Sequence, residues 1–312
     1  MRRRTMAQLA LLPLALVFAG AFSRSAPEQL VGRWDITLRT PEGDRPSWLE
    51  VRRSGREALV GQFVGVVGSA RPVARIIATG DSLRFAIPPQ WEEGTEDLRV
   101  EGRRENGGLT GRMTFPDGKQ YAWTAVRAPS PRRQGPITWG APVALLSQNS
   151  LTGWHAVAGD NQWIVRGGIL SSPKSGANLV TDRSFGDFKL HIEFRYPKGS
   201  NSGVYLRGRH EVQIEDNFGE EPASDRFGSV YGFIAPSEMA AKPPGEWQAF
   251  DITLVGRMLT VVANGRPVIV DREIPGITGG ALDSREGDPG PLMLQGDHGP
   301  IEYRNIILTP AR

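Results

Sequence analysis

Hydrophobic and polar residues alternate along short segments through most of the chain. Between residues 34 and 38, Trp34, Ile36 and Leu38 alternate with Asp35 and Thr37, and similar runs recur as far as residue 308. A period of two is typical of strands with one buried face, and no long segment shows the 3.6-residue apolar period of an amphipathic helix. The sequence therefore predicts an all-β protein.

Residues 28–127 carry closely spaced alternating runs. Turn signals such as Asn106-Gly107-Gly108 and Pro116-Asp117-Gly118 separate several of them. About seven or eight antiparallel strands in a segment of this length predict a small, closed or nearly closed barrel. Gly32-Arg33-Trp34 weakly resembles the start of small lipocalin-type barrels. Such a barrel either holds an apolar ligand or is filled by its own side chains, and we expect the filled form.

Residues 128–136 predict a linker, since Pro129, Pro131 and Pro136 prevent a continuous strand ladder. Residues 137–312 contain longer alternating runs, about a dozen strands in all, which require two stacked sheets. We therefore predict two β domains joined by a proline-rich linker.

Residues 1–26 differ from the rest of the chain. Arg2, Arg3 and Arg4 precede an apolar run at 9–19, and Ala19-Gly20-Ala21 offers small residues for cleavage. The run is short for a membrane span, so we predict a cleaved export signal and no membrane insertion after its removal. The chain contains no Cys. These features predict a protein of the bacterial periplasm or a secreted protein, without thiol catalysis or Cys-ligated zinc.

The charge argues against nucleic acid as a partner. The formal net charge is +3, and cleavage after Ala21 would remove three Arg and no acidic residue, which leaves zero. Phosphate-backbone binding needs clustered excess Lys and Arg, whereas the Arg pairs here stand beside acidic residues or Pro. No glycine-rich nucleotide loop lies between a strand and a helix, so no nucleotide cofactor is expected.

Residues 201–216 predict a polar sheet face. If Val204 and Leu206 face a core, and Val212 and Ile214 do so on the next strand, their neighbours share the opposite face. Planar hydrogen-bonding groups beside an aromatic ring suit a polyhydroxylated ligand. The neighbours in question are Tyr205, Arg207, Glu211, Gln213 and Glu215.

Several motifs of residues 146–310 occur together in order. They include Leu151-Thr152-Gly153-Trp154, Gly167-Gly168-Ile169-Leu170, Asn201-Ser202-Gly203-Val204, Glu211-Val212-Gln213-Ile214, Glu246-Trp247-Gln248 and Gly296-Asp297-His298-Gly299. Together they resemble the 3-keto-disaccharide hydrolase domain family. The resemblance implies a concanavalin A-like jelly roll that cleaves the glycosidic bond of 3-keto-glycosides or 3-keto-disaccharides. Similar domains often carry Asn-Gly where Gln148-Asn149-Ser150 stands here.

Cleavage of such a substrate needs a base and a group that holds negative oxygen. The C3 ketone acidifies the proton at C2, and its removal lets the C1 aglycone leave, with or without later addition of water. Glu211 is the candidate base and Arg207 the candidate partner of the ketone, although the two could form a structural ion pair. His298, in a glycine-rich turn, is a candidate base, acid or metal ligand. A separate sugar 3-oxidoreductase would have to make the ketone.

Other polar residues are candidates for contacts with the substrate or with a divalent metal ion. His298, Glu211 and Asp216 are the candidate metal ligands, although Asp216 could equally cap a turn. A non-catalytic carbohydrate-binding protein and a structural envelope module are alternative interpretations. The candidate contacts to sugar hydroxyls are Gln213, Gln295, Tyr231, Asn201, Ser202 and Tyr205.

Overall fold

The computed structural model describes residues 26–133 and 135–312. The predicted export signal, apart from its last residue, lies outside the described residues. Within them, α1 (Ala26–Leu30) is the single helix element and the remaining elements are strands. No helix of the described chain is long and apolar enough to cross a membrane. The all-β prediction is confirmed.

The N-terminal strands form a closed antiparallel barrel in which each strand pairs with the next and β8 returns to β1. A core cluster that includes Trp34, Phe63 and Trp123 packs together within this domain. Gly102 and Gly111 leave room for the Trp123 ring, because a Cβ on either would lie within 2.7 Å of it. The strands are β1 (Gly32–Thr40), β2 (Gly43–Ser54), β3 (Ala58–Val64), β4 (Arg71–Thr79), β5 (Ser82–Ile87), β6 (Leu98–Glu105), β7 (Gly108–Thr114) and β8 (Gln120–Arg127).

The later strands form two stacked sheets. A five-stranded sheet has the order β10-β13-β20-β15-β16, and an eight-stranded sheet has the order β11-β12-β21-β14-β17-β18-β19 with β9 beside β21. The strands are β9 (Val143–Ala144), β10 (Trp154–Val157), β11 (Ile164–Arg166), β12 (Ile169–Ser172), β13 (Asn178–Phe185), β14 (Phe188–Arg195), β15 (Asn201–Leu206), β16 (His210–Glu215), β17 (Gln248–Val255), β18 (Met258–Ala263), β19 (Arg266–Glu273), β20 (Gly290–Leu294) and β21 (Ile301–Pro310).

Strict alternation along the strands builds the core between the two sheets. On β14, Phe188, Leu190, Ile192 and Phe194 are buried, whereas the residues between them are partly or fully exposed. Residues of the facing sheet, such as Val204, join the same cluster. The jelly-roll prediction is therefore confirmed.

Barrel and sandwich pack against each other through the segment between β19 and β20. Trp48 and Val64 of the barrel form a cluster with Ile277 and Ala281. The Trp48 ring also meets Phe233 edge-on at 5.3 Å. The same segment also contacts the five-stranded sheet, where the Tyr205 hydroxyl of β15 lies 3.0 Å from the Gly279 carbonyl oxygen.

Buried ionisable groups lie at the same interface. Glu286 Oε2 lies 2.6 Å from Arg257 Nη2, and Glu286 Oε1 lies 3.8 Å from His210 Nε2. Burial raises the pKa of Asp35, on β1, to about 6, and burial followed by the Asp35 charge raises the pKa of Glu286 well above its usual range. Within the described chain neither Asp35 oxygen has a hydrogen bond of ordinary geometry, although the Glu286 carboxyl group and backbone amide lie close enough to act on it. A single proton shared between the two carboxyl groups would supply the missing donor.

Candidate functional site

Two adjacent strands of the five-stranded sheet create a polar face. Tyr205 of β15 lies opposite Glu211 of β16, and Gly203 lies opposite Gln213. Because side chains alternate across a strand, these residues share the face turned away from the Val204 side of the sheet. The predicted alternation of this hairpin is found in the structure.

The carboxyl group of Glu211 occupies a buried position over Gly203. A Cβ at Gly203 would lie 2.2 Å from Glu211 Oε1, so glycine leaves the space that the carboxyl group fills. No ion pair involves Glu211 among the residues that the structure describes. Burial, with smaller effects of the Asp297 and Glu215 charges, raises its pKa to about 8. Glu211 therefore exchanges its proton near neutral pH.

Tyr205 connects Glu211 to the segment that joins the domains. Its hydroxyl lies 2.9 Å from Glu211 Oε2 and 3.0 Å from the Gly279 carbonyl oxygen. One hydroxyl hydrogen cannot serve both acceptors fully. When Glu211 is ionised the hydroxyl donates to it. When Glu211 is protonated, the carboxyl group can donate to Tyr205, which then donates to Gly279.

A neighbouring segment, residues 229–231, widens the polar face. An antiparallel bridge joins Val212 to Val230, with the Tyr231 amide donating to the Glu211 carbonyl at 3.1 Å and the Gln213 amide donating to the Ser229 carbonyl at 3.0 Å. Tyr231 and Ser229 therefore lie opposite Glu211 and Gln213.

Three buried polar atoms in this region have no hydrogen-bond partner within the described chain: Gln213 Oε1, Ser229 Oγ and Gln295 Oε1. Gln295 follows β20, and its backbone N–H donates to the Gly203 carbonyl oxygen at 2.9 Å. Glutamines thus flank Gly203 on both sides. Unpaired buried polar groups cost roughly 1–3 kcal/mol each, and a ligand rich in hydroxyl groups would pair with them.

His298 lies in the turn that follows β20. Its Nδ1 atom is 2.7 Å from Asp297 Oδ1, and this contact raises the pKa of His298 by favouring the imidazolium form. About half of the side chain is exposed. The Gly299 amide donates to the Asn201 carbonyl at 3.2 Å, so this turn lies at the Asn201 end of the polar face, and the negative charge of Asp297 acts on Glu211.

The prediction that Arg207 lies beside Glu211 is wrong. Arg207 and Gly208 have φ angles of 53° and 68°, so they form the turn of the hairpin and leave its alternation. Arg207 Nη2 donates to Asp187 Oδ1 at 2.9 Å, and Nε donates to the Gly186 carbonyl at 2.8 Å. The guanidinium group lines a separate cavity of about 460 Å³ that also includes Pro131. Arg207 forms a structural ion pair, with Asp187 and not with Glu211.

Ser202 does not lie on the polar face either. Its Oγ donates to the Gln295 carbonyl at 2.8 Å and lies 2.8 Å from the Tyr303 hydroxyl, inside the sandwich. It has the same strand parity as Val204, which explains its direction. Asn201, with the parity of Tyr205, stays a candidate contact at the end of the polar face, opposite Glu215.

The candidate metal ligands do not form a binding group. Within the described residues, no three His, Asp or Glu side chains are arranged to hold a metal ion. Asp216 Oδ2 instead accepts a hydrogen bond from the Gly199 amide at 2.8 Å, which is the turn-capping alternative. His298, Glu211 and Asp216 therefore do not form the predicted site for a divalent metal ion.

Sequence reasoning missed Gly203 and Ser229 as parts of this face. Gly203 lies within a named motif, and its position between Glu211 and two glutamines follows only from strand pairing. Ser229 lies two residues before Tyr231, so on a strand the two side chains point to the same side, and this spacing could have assigned Ser229 to the polar face. No local pattern indicates which barrel loop approaches the site.

Fold and site together define a jelly-roll protein with a buried, ionisable carboxyl group close to polar atoms that have no partner within the described chain. A family model described as the 3-keto-alpha-glucoside-1,2-lyase-like domain matches residues 141–309, more than half of the chain. The chain belongs to this family. The predicted resemblance is confirmed, and membership supports a carbohydrate-processing function.

Several solved structures match about half of the chain. A protein of Parabacteroides distasonis ATCC 8503, described as a "putative glycosyl hydrolase", is 27% identical with a TM-score of 0.48 over 56% of this chain and 91% of its own. Another from the same organism is 24% identical with a TM-score of 0.44 over 54% and 98%. The carbohydrate binding module CBM66 from Bacillus subtilis is 14% identical with a TM-score of 0.33 over 49% and 93%. A sequence search of curated proteins finds no match.

Proposed function

We propose that the protein cleaves the glycosidic bond of 3-keto-glycosides or 3-keto-disaccharides by elimination across C1 and C2, with Glu211 as the base. The observation that carries this proposal is the Glu211 carboxyl group, which has a pKa of about 8 and no ion-pair partner among the described residues. It lies close to buried polar atoms that have no hydrogen-bond partner within the described chain. The description of the family as a 1,2-lyase-like domain supports the same bond change.

The reaction needs few groups from the protein. Glu211 removes the C2 proton, and the C–H electron pair moves toward C3 to give an enolate. As the C3 carbonyl re-forms, a C1–C2 double bond appears and the C1–O bond to the aglycone breaks. Protonation of the leaving oxygen releases an alcohol and an unsaturated keto sugar. Addition of water at C1 would convert the outcome to net hydrolysis.

The raised pKa of Glu211 suits this step. A base is most effective when its pKa is close to the working pH, and a base of pKa about 8 is stronger than an ordinary carboxylate while still about one-tenth ionised at pH 7. Its low exposure keeps competing water away from the carboxylate.

Arg207 pairs with Asp187 and does not lie beside Glu211, so Tyr231 is the candidate for holding the enolate oxygen. Burial raises the pKa of Tyr231 to about 12, so its hydroxyl stays a neutral donor, and it lies opposite Glu211. Gln213 and Gln295 supply amide groups for the sugar hydroxyls.

His298 is the candidate acid for the leaving aglycone oxygen. The Asp297 contact raises the pKa of His298, and the turn places the ring at the edge of the Glu211 region. We also propose that the protein acts after export, and that a separate sugar 3-oxidoreductase supplies the ketone. No step is assigned to a metal ion, since the candidate ligands do not converge.

The first experiment follows aglycone release from a 3-keto-glucoside and from its unoxidised parent. We expect release from the keto form alone, a primary isotope effect for substrate deuterated at C2, and loss of turnover in Glu211→Gln with an unchanged melting temperature. Glu221→Gln, at an exposed position, is the matched control. Binding of sugars without release from keto-glycosides of either anomer would instead identify a non-catalytic carbohydrate-binding protein.

A further inference from the structure

The barrel presents one large aromatic side chain close to the polar face. Trp91 lies in the loop between β5 and β6 and is 67% exposed, although most large apolar side chains of the barrel are buried. Single exposed apolar side chains are common on protein surfaces, so it is the position of Trp91, and not its exposure alone, that points to a role.

A network of hydrogen bonds fixes the Trp91 loop. Arg71 and Glu92 form a largely buried ion pair at 2.6 Å. Glu92 Oε2 also accepts hydrogen bonds from the amides of Gln90 at 2.7 Å and Trp91 at 3.2 Å. Gln90 in turn accepts from the Ser69 amide at 3.1 Å and donates to its hydroxyl at 2.9 Å. The loop is thereby held in place on the neighbouring β3–β4 loop, residues 65–70.

The β3–β4 loop is packed directly on the site. A Cβ at Gly232, next to Tyr231, would lie 2.5 Å from the Ala70 amide nitrogen. A Cβ at Gly279, whose carbonyl accepts from Tyr205, would lie 2.2 Å from the Gly68 carbonyl oxygen. The barrel loops therefore border the same residues that hold Glu211.

Trp91 itself reaches the site. A Cβ at Gly68 would lie 2.8 Å from Trp91 Cδ1, so the indole ring packs on the loop that touches Gly279 and Gly232. The indole group also acts on the Tyr231 hydroxyl. The exposure of Trp91 leaves an indole face available. An aromatic face packs well against the C–H groups of a pyranose ring.

We propose that Trp91 of the barrel is a sugar-binding platform that stacks on the reacting keto-pyranose ring, so that the substrate site is completed between the two domains. The inference rests on the proposed function. Tyr231, which holds the C3 oxygen in that mechanism, lies beside Trp91, whereas His298 lies at the leaving group. Trp91 therefore contacts the keto sugar on its C3 side and not the aglycone.

The test compares Trp91→Ala, Trp91→Phe and, as a matched control, Trp247→Ala. Trp247 packs on Arg304 at the other sheet, 3.9 Å from ring centre to guanidinium carbon. For aryl and disaccharide 3-keto-glucosides alike, we expect Trp91→Ala to raise KM about tenfold with kcat changed much less, and Trp91→Phe to recover part of the loss. An effect that changes with the aglycone, or no effect on KM, would overturn the assignment.

A binding measurement separates this inference from the proposed reaction. Calorimetry with a 3-keto-glucoside in a Glu211→Gln background, with and without Trp91→Ala, reports sugar binding whether or not turnover occurs. We expect about a tenfold weaker Kd in the double variant. Equal Kd values would reject the platform, whereas weaker binding without any wild-type turnover would retain the platform and reject the reaction.

Discussion

Removing the Tyr205 hydroxyl is the most informative perturbation of the site. In the native protein this hydroxyl is the one hydrogen-bond donor to the Glu211 carboxylate among the described side chains, and it partly offsets the effect of burial on the pKa. Tyr205→Phe keeps the ring between the strands and deletes that donor. A hydrogen bond to a charged group contributes about 1.5–3 kcal/mol, which corresponds to about one to two pKa units.

The expected result is a displaced pH profile. The pKa of Glu211 should rise from about 8 to about 9–10 in Tyr205→Phe, so the ionised fraction at pH 7 falls about 10- to 100-fold. Measured as kcat/KM with a 4-nitrophenyl 3-keto-glucoside, whose leaving group needs no acid, from about pH 6 to about pH 11, the acidic limb should move to higher pH by one to two units. The activity reached at high pH should change by only a few fold.

Tyr121→Phe is the matched control, because Tyr121 belongs to the barrel and packs edge-on against Phe115 at 5.4 Å. Its acidic limb should stay in place. If Tyr205→Phe lowered activity equally at every pH, the hydroxyl would have no part in setting the ionisation of Glu211. If its acidic limb moved to lower pH, the Tyr205 hydroxyl would be raising the pKa of Glu211 instead of lowering it.

Further substitutions test the neighbouring features. Gly203→Ala should lower kcat at least tenfold, because the added Cβ displaces the Glu211 carboxyl group; retained kcat in a crystallographically verified variant would contradict this. His298→Asn should slow release of alkyl aglycones far more than of 4-nitrophenol, and an equal effect on both would exclude an acid role. Burial raises the folded-state pKa of Asp35 to about 6. The free energy of unfolding is therefore unaffected below about pH 4, where Asp35 is protonated in both states, and it falls by about 2–3 kcal/mol as the pH rises through about 6. Asp35→Asn should therefore melt at a higher temperature than the native protein at pH 7, with the difference shrinking toward pH 4; a constant difference would rule out the shared proton with Glu286.

Local pattern was sufficient for the polar face because a strand has a fixed period of two. Tyr205, Glu211 and Gln213 could be assigned to one side from the positions of Val204 and Val212 alone. The same rule, applied consistently, would have removed Ser202, which shares the parity of Val204 and binds inside the sandwich.

The errors and omissions have physical causes that alternation does not contain. Arg207 was misplaced because a residue with positive φ belongs to the turn, where the strand period no longer applies. Trp91 could not be placed beside the site because its position there depends on how one domain docks on the other. That docking is set by contacts such as Trp48 with Ile277, between residues far apart in sequence.

Gly232 and Gly279 carry a consequence for how this pair of domains can diverge. Each touches the backbone of the barrel loop so closely that a methyl group has no room. If this sandwich were joined to a different barrel, that barrel would need a loop whose backbone fits equally closely against Gly232 and Gly279. A graft of this sandwich onto another barrel should therefore carry the 65–70 loop with it rather than cut the chain at its proline-rich connection.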